Sequence, residues 1–383
     1  MPCFVIGDRI REWEVMAQRQ VRVARRVVLA GGLAVSAVGF TGLPAGAAAG
    51  RSHAAPSIAS TSDWNARDAS GEIEVLDSKP TKIIVHHTAT PDSDDTSQSH
   101  AFELARQIQN YHMDSNGWSD TGQNFTNSRG GHLMEGRHKS LSALKGGSQH
   151  VKGAHAGEQN SVALGIENEG TYTEASVPGS LWDSLVELCS YMVSQYGISP
   201  SAIYGHRDYM STECPGDVLY GKLPDLRESV AKVMGLPVVQ PLTWPLLRPG
   251  VQGPEVTALQ MLLGARGASV PVDGVFGEST QRAASGVSVE QAASGASCFA
   301  SRVDPSGLFG GVAWEGVTPE LGAGAGGEAV RAAQVLLTSR GHYVPVDGVF
   351  GDRVVAAVRD FQAVRGLAVS GRVDRASWQR LLS

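Results

Sequence analysis

The sequence predicts an α/β domain, followed by small all-α three-helix modules. Two observations predict the α/β domain. A β-branched strand at 82–85 precedes apolar residues at helical spacing over 101–111, and a second strand at 163–167 precedes a helix over about 180–196. A third observation, a repeat that begins near residue 248, predicts the helical modules. A length of 383 residues is sufficient for two or three domains.

Charge and composition limit the candidate partners. The net charge of −6 and the pI near 6.0 provide no basic surface that would attract a polyanion. Nucleic acid is therefore not expected as a partner. The apolar and charged fractions, 42% and 18%, are typical of a globular protein, so wholesale disorder is not expected either. We expect a monomer.

The N-terminus has the layout of an export signal. Arginines at 19–26 precede an apolar run over 27–43 and a small-residue stretch at 45–49, so we expect cleavage near Ala49 and a secreted protein. Met16 is an alternative start. A membrane anchor is the competing interpretation, but the apolar run is short, contains glycines and ends in an A-x-A-like site. No stable membrane insertion is therefore expected after cleavage.

Changes in composition divide the chain into six segments. The sequence predicts a signal peptide (1–49), a flexible lead-in (50–62), the α/β domain (63–235), a Pro-rich linker (236–247), a first repeat with a disrupted second half (248–325) and a second repeat (326–383).

The repeat rests on one motif that occurs twice. Residues 272–277 recur at 346–351, an offset of 74 residues, and each copy is flanked by helical patterns. The second copy continues to a third helix that carries Trp378. At the same offset the first copy has Asp304 in place of the tryptophan. We therefore expect the first repeat to lack the second half of its core, and we do not expect this repeat to fold stably. A compensated reading-frame shift over 284–325 is one hypothesis for this difference.

The cysteines cannot all form disulfides. Cys3 lies in the predicted signal peptide, which leaves Cys189, Cys214 and Cys298, an odd number. Cys189 lies within a helical pattern and is expected to be a small buried apolar side chain. An odd number cannot all pair, so at least one thiol requires a different explanation.

His206 and Cys214 are candidate metal ligands. They lie eight residues apart in a loop, and imidazole and thiolate are both good zinc ligands. A catalytic zinc uses three protein ligands and leaves a fourth position open for water. His86 and His87 end the first strand, where side chains alternate between faces, so we expect one of the two to reach the site. The spacing alone is also compatible with residues of purely structural function.

Five motifs in order resemble those of the N-acetylmuramoyl-L-alanine amidases, a family that includes phage-lysozyme-type amidases and peptidoglycan recognition proteins. They span about 63–232 and are Ile83-Ile84-Val85-His86-His87-Thr88-Ala89, Arg129-Gly130-Gly131 through Glu135-Gly136-Arg137, Gly153-Ala154-His155-Ala156, Gly165-Ile166-Glu167-Asn168-Glu169-Gly170, and His206 to Cys214-Pro215. The resemblance implies a mixed central sheet flanked by helices. It also implies a zinc ion in a surface cleft, held by His86, His206 and Cys214. Receptor-only members of the family lack part of this ligand set.

The resemblance also implies catalytic roles. Glu167 is expected to be the general base, with Glu169 as a weaker candidate on the same face of the strand. Thr212 is expected either to bond the oxyanion or to shape the loop. Gln123 stands where many relatives have a tyrosine that carries a proton, and an amide cannot do this.

Two further residues, His155 and Asn160, match positions in the substrate cleft of the family. The resemblance implies that they contact the saccharide or the peptide, while stabilisation of their loop is the alternative. Arg207 and Asp208 are expected to orient the metal loop rather than to touch substrate.

The activity implied by the resemblance is hydrolysis of the amide bond between the lactyl group of N-acetylmuramic acid and L-alanine of the stem peptide, by water activated by Zn2+. The repeats resemble the peptidoglycan-binding modules of wall hydrolases, so peptidoglycan is the expected partner and the cell wall the expected location. One alternative is a non-catalytic peptidoglycan receptor or anchor. The other is a zinc endopeptidase acting within the stem peptide, which nothing in the sequence favours.

Overall fold

The structure, a computed structural model, describes residues 53–292 and 307–383. The predicted signal peptide, Cys3 and Cys298 lie outside the described residues. None of the helices in the described ranges is long and apolar enough to cross a lipid bilayer.

Eight strands occur in the described part of the chain. They are β1 (Ile58–Ala59), β2 (Val75–Leu76), β3 (Lys82–His87), β4 (Phe125–Asn127), β5 (Leu133–Glu135), β6 (His150–Val151), β7 (Ala163–Asn168) and β8 (Ile203–Gly205). Six of them form one sheet in the order β1-β5-β4-β7-β3-β8, and β2 pairs with β6. Only the β4–β5 pairing in the six-stranded sheet is antiparallel. This confirms the predicted mixed sheet.

Within residues 53–292 and 307–383, five α-helices accompany the sheet and six follow it. The first five are α1 (Gln98–Asp114), α2 (Ser140–Gly146), α3 (Gly179–Tyr196), α4 (Asp217–Gly221) and α5 (Leu223–Met234). The other six are α6 (Pro254–Ala265), α7 (Glu278–Ala292), α8 (Ala313–Val317), α9 (Glu328–Ser339), α10 (Asp352–Val364) and α11 (Arg375–Leu382).

The middle of strand β3 is apolar because both of its faces are covered. Ile83, Ile84 and Val85 are fully buried. Ile83 and Val85 pack with the apolar residues of α3 and α5, whereas Ile84 packs on the opposite face. Because side chains alternate along a strand, His86 continues the face of Ile84 and His87 the other. The pleat of this strand therefore separates the two histidines.

Cys189 is a buried residue of α3 with no exposed surface. It belongs to the main apolar cluster of the α/β domain. The sequence prediction of a small buried apolar side chain is confirmed.

The lead-in forms part of the sheet. It was expected to be flexible, but Ile58 and Ala59 pair in parallel register with Leu133 and Met134 of β5. The expectation was wrong because a strand of two residues has too few positions to show a period, and its pairing partner lies far along the chain.

The two repeats share a single apolar core. The helices α6 and α9 occupy equivalent places in the two copies and pack against each other. In each copy a buried glutamine fastens the Asp-Gly turn: Gln260 donates to Asp273 Oδ1 and Gln334 to Asp347 Oδ1, both at 2.8 Å. Trp244, which the sequence analysis assigned to the linker, is also part of this core.

The described part of the first repeat contains a counterpart of the Trp378 position. Trp314 on α8 is fully buried and donates from Nε1 to Pro245 O at 2.8 Å, as Trp378 donates to Pro319 O at 2.7 Å in the second copy. The expectation that the first repeat lacks the second half of its core was wrong. The tryptophan and its acceptor are 69 residues apart in the first copy and 59 in the second. The first copy therefore contains ten additional residues, which break the constant offset between the repeats.

We expect Trp314→Ala to lower the free energy of unfolding of the C-terminal region by about 3–5 kcal/mol, because it removes a large, fully buried side chain. Trp378→Ala should have an effect of similar size. Urea denaturation followed by circular dichroism measures both. A first repeat without a packed third helix would tolerate Trp314→Ala while Trp378→Ala remained destabilising.

Candidate metal centre

Three side chains with metal-binding atoms meet at the carboxyl ends of β3 and β8. His86 lies near the end of β3, His206 directly follows β8, and Cys214 lies in the loop before α4. One ligand atom from each residue lies within 4.8 Å of the other two, and all three residues are buried. The structure thus brings together the three residues that the resemblance implied as ligands.

The two ring nitrogens of His86 have different neighbours. Its Nδ1 lies 3.7 Å from Cys214 Sγ, and its Nε2 lies 3.0 Å from His155 Nδ1. Nitrogen and sulfur ligands of a tetrahedral zinc, at about 2.0 and 2.3 Å from the metal, lie about 3.5 Å apart. The edge of His86 that faces Cys214 therefore fits a shared ion, while the other edge is held by His155.

The electrostatics of the site also fit a metal. Burial lowers the pKa of His206 to about 3 and holds the pKa of His86 well below its usual range. Both rings are therefore neutral near pH 7 and carry the lone pair that a metal requires. The backbone N–H of His87 donates to Cys214 Sγ at 3.4 Å. Two imidazoles and one thiol form a donor set suited to zinc.

His87 lies outside this cluster. Its Nδ1 accepts a hydrogen bond from Tyr172 N at 3.3 Å, and burial lowers its pKa to about 4. Of the two histidines that the sequence left as candidates, the structure brings His86 to the site.

The loop that carries Cys214 is held close to the segment around Tyr172. Gly216 has φ +88°, and a Cβ there would lie 2.3 Å from the carbonyl carbon of Tyr172. Only glycine permits this approach. Asp208 supports the other end of the loop: Oδ2 accepts from Gly205 N at 2.8 Å and Oδ1 from the Tyr220 hydroxyl at 2.5 Å.

Glu167 is a residue of β7 and lies beside the candidate metal ligands. It is in register with His86 on the parallel strand β3, so the two side chains lie on the same face of the sheet. The side chain is buried, and its Oε2 has no hydrogen-bond partner in the structure. Burial raises its pKa to about 8. A buried carboxyl group with an unpaired oxygen is suited to accept and return a proton.

Glu169 is engaged elsewhere. Its Oε1 lies 2.6 Å from His100 Nε2, and its Oε2 accepts from Arg129 N at 2.8 Å. Both oxygens therefore have structural partners, which favours Glu167 as the base.

Gln123 occupies a buried position at the start of β4. Its Nε2 donates to Thr126 Oγ1 at 2.9 Å, and Thr126 is the register partner of Glu167. The Oε1 of Gln123 is buried and has no hydrogen-bond partner in the structure. At this position the Gln123 side chain offers a hydrogen-bond acceptor but no group that can ionise and transfer a proton.

Thr212 and Asn160 both bond to nearby backbone. Thr212 Oγ1 accepts from Cys214 N at 3.2 Å. Asn160 Oδ1 accepts from His155 N at 2.7 Å and from Ala156 N at 3.0 Å. These bonds shape the loops around the metal ligands.

His155 is buried, and its contact with His86 Nε2 places it behind a metal ligand. The pKa of His155 is lowered to about 3 by burial. The geometry favours a role in orienting His86. Substrate contact by His155 and by Asn160 stays a prediction.

The carboxyl group of Glu167 leads to an expected pH dependence of stability in the metal-free protein. Between about pH 4.5 and 8 the folded chain retains a proton on this group that the unfolded chain releases. The unfolded state then binds fewer protons, so the free energy of unfolding falls as the pH rises through this window. The effect is about 1.4 kcal/mol for each unit of pKa shift.

In Glu167→Gln this contribution is absent. Chemical denaturation of both metal-free proteins at a series of pH values should therefore show a smaller fall in the variant. The buried histidines are present in both proteins, so their contribution cancels in the comparison. Parallel pH profiles would show that Glu167 is ionised in the folded metal-free chain.

Comparisons with known proteins identify the family of this chain. The family model described as N-acetylmuramoyl-L-alanine amidase matches residues 76–217, and the model described as a putative peptidoglycan binding domain matches 326–381. Peptidoglycan-recognition protein SC1a of Drosophila melanogaster is 31% identical over 167 residues, which cover 43% of this chain and 83% of that protein. The chain belongs to the N-acetylmuramoyl-L-alanine amidase and peptidoglycan recognition protein family.

Other members of this amidase and recognition protein family are similar over the same part of the chain. The N-acetylmuramoyl-L-alanine amidase of Homo sapiens is 31% identical over 170 residues, which cover 44% of this chain and 28% of that protein. The solved structure of Drosophila PGRP-LB has 28% identity and a TM-score of 0.39, and the match covers 44% of this chain and 92% of that one. The predicted family membership and the predicted C-terminal peptidoglycan-binding domain are confirmed.

Proposed function

We propose that this protein is a secreted, zinc-dependent N-acetylmuramoyl-L-alanine amidase that hydrolyses the bond between the lactyl group of N-acetylmuramic acid and L-alanine. The observation that carries the proposal is the buried cluster of His86, His206 and Cys214 with Glu167 on the adjacent strand. A receptor requires neither a complete set of metal ligands nor a buried acid with an unpaired oxygen beside them.

His86, His206 and Cys214 would hold the zinc ion, which supplies a water of lowered pKa and polarises the carbonyl group of the substrate. Burial keeps both imidazoles neutral, and the N–H of His87 donates to the sulfur ligand. His155 fixes the ring of His86 through Nε2.

Glu167 carries the proton in this mechanism. Its carboxylate accepts a proton from the attacking water as the C–O bond to the lactyl carbon forms. The same proton is then delivered to the L-alanine nitrogen as the C–N bond breaks, so the products are a lactyl carboxylic acid and a free amine, which become carboxylate and ammonium when the acid passes its proton to the amine. Thr212 holds the Cys214 loop through its bond to Cys214 N. Gln123 cannot replace Glu167, because a carboxamide does not titrate in this range.

The C-terminal repeats are proposed to hold the enzyme on peptidoglycan. The second copy matches a peptidoglycan-binding family, and the first shares its core. Action at the cell wall follows if the predicted export signal functions. A monomer without stable membrane insertion remains our expectation.

The proposal is tested by incubating protein that begins at residue 50 with purified peptidoglycan. An amidase releases free L-alanine amino termini and no new reducing sugar ends. Wall binding without new termini would instead support the receptor or anchor. New amino termini within the stem peptide, with the bond to L-alanine intact, would indicate an endopeptidase.

A further inference from the structure

The loop that carries His206 and Cys214 contacts the C-terminal region. Arg248, which precedes the first helix of the repeats, donates from Nε to Glu213 Oε1 at 2.9 Å and from Nη2 to Asp217 Oδ1 at 2.7 Å. Glu213 immediately precedes Cys214 in the sequence. Arg248 thus holds the residue next to one metal ligand.

The same cluster of charges reaches the neighbour of the second ligand. Asp217 Oδ1 also accepts from Arg207 Nη1 at 2.6 Å, and Arg207 immediately follows His206. Arg207 also donates to the carbonyl of Glu213. Asp217 is therefore shared by one arginine of the loop and one arginine of the C-terminal region. Bonds between charged groups are shorter and stronger than neutral hydrogen bonds, so this arrangement restrains the loop.

A turn at residues 310–311 makes a second contact with the loop. The Ser211 hydroxyl donates to Gly310 O at 3.2 Å and accepts from Gly310 N at 3.1 Å. Gly311 has φ +53°, and a Cβ there would lie 2.6 Å from Met210 N, so only glycine fits this approach. Met210 Sδ in turn lies 3.1 Å from His206 Nε2.

The first repeat holds this turn in place. Phe309 pairs through its backbone with Leu247 and packs edge-on against Trp314, with 4.9 Å between the ring centroids. Both aromatic side chains are fully buried in the shared core of the repeats. A shift of the turn would therefore disturb close packing in that core.

We infer that the C-terminal region positions the metal-binding loop, with Arg248 and the 310–311 turn as positioning residues for His206 and Cys214. The inference rests on the proposed function and extends it. The C-terminal region, which is proposed to bind the wall, also holds the metal ligands in place. Catalysis on a small soluble fragment therefore depends on this region as well.

The test uses the full chain from residue 50 with zinc bound. Arg248→Ala is expected to lower the affinity for zinc, measured by competition with a chelator, by about 10–100-fold, as is typical of residues that orient metal ligands. It should lower kcat on a soluble muropeptide with little change in KM. Hydrogen exchange of the amides of residues 206–214 should become faster. Arg248→Lys, which keeps the charge and can bond one carboxylate, should recover part of the affinity.

Two further variants make the result specific. Gly311→Ala forces the turn against Met210 and should change zinc affinity and exchange in the same direction as Arg248→Ala. Arg340→Ala is the matched control, because its ion pair with Glu255, at 2.8 Å, joins the two repeats to each other. It should leave zinc affinity and kcat unchanged even where it lowers the stability of the repeats.

Wild-type zinc affinity and hydrogen exchange in both Arg248→Ala and Gly311→Ala would overturn the inference. This comparison does not depend on activity. A wild-type protein that binds zinc but cleaves no muropeptide would refute the proposed function, while the effect of Arg248→Ala on zinc would still decide the inference.

Discussion

Cys214→Ala is expected to abolish stable zinc binding and to lower amide hydrolysis by about three orders of magnitude or more, equivalent to ~4 kcal/mol of transition-state stabilisation. The thiol supplies the only sulfur in the cluster, and its loss leaves two imidazoles, a set that rarely retains zinc alone. Metal content after dialysis and the rate of release of L-alanine amino termini measure the two effects.

Cys189→Ala is the matched control for this variant. Cys189 is a buried cysteine in the apolar core, and burial raises the pKa of its thiol above the usual range. Its replacement should cost some stability while leaving zinc content and activity near wild type. A Cys214→Ala protein that kept one zinc ion and full activity would contradict the proposed ligand set.

Glu167→Gln is expected to lower kcat by about two orders of magnitude or more while zinc remains bound, within the range typical of general acid–base groups. Glutamine has nearly the same shape, so the packing beside His86 should persist. The proton can then no longer be taken from water and passed to the L-alanine nitrogen. Steady-state kinetics on a soluble muropeptide, with metal analysis of the same sample, provide the measurement.

Glu169→Gln separates this effect from the general loss of a buried acid. Glu169 lies two residues along the same strand, but its oxygens bond to His100 and to Arg129 N. The Glu169→Gln variant should therefore retain most of the wild-type kcat. If Glu169→Gln lost activity and Glu167→Gln did not, the general base would be Glu169, and an unaffected rate in both would place the base outside this strand.

The sequence predicted those features that depend on local pattern. The strands β3 and β7 were predictable because each contains a short apolar run, and α3 because its apolar residues recur at helical spacing. The ligand set came from the resemblance, and the alternation of β3 left two candidate histidines. The structure adds the register with Glu167 and the contact of His155 with His86.

Features that depend on distant pairing were not predictable. Arg248 and Glu213 are 35 residues apart and share no periodic pattern, so the contact between the repeats and the metal loop left no signal in the sequence. Trp314 was missed because a comparison at constant offset cannot accommodate an insertion. A search for a tryptophan followed by apolar residues near the end of the first repeat would have found it.

X-ray absorption at the zinc edge of the purified, active protein measures the ligands of the proposed metal site. We expect one zinc per chain, with two nitrogens at about 2.0–2.1 Å, one sulfur at about 2.3 Å and one further oxygen from water. The sulfur contribution should disappear in Cys214→Ala and persist in Cys189→Ala. An active protein whose metal has only oxygen ligands, or that contains no zinc, would refute His86, His206 and Cys214 as zinc ligands.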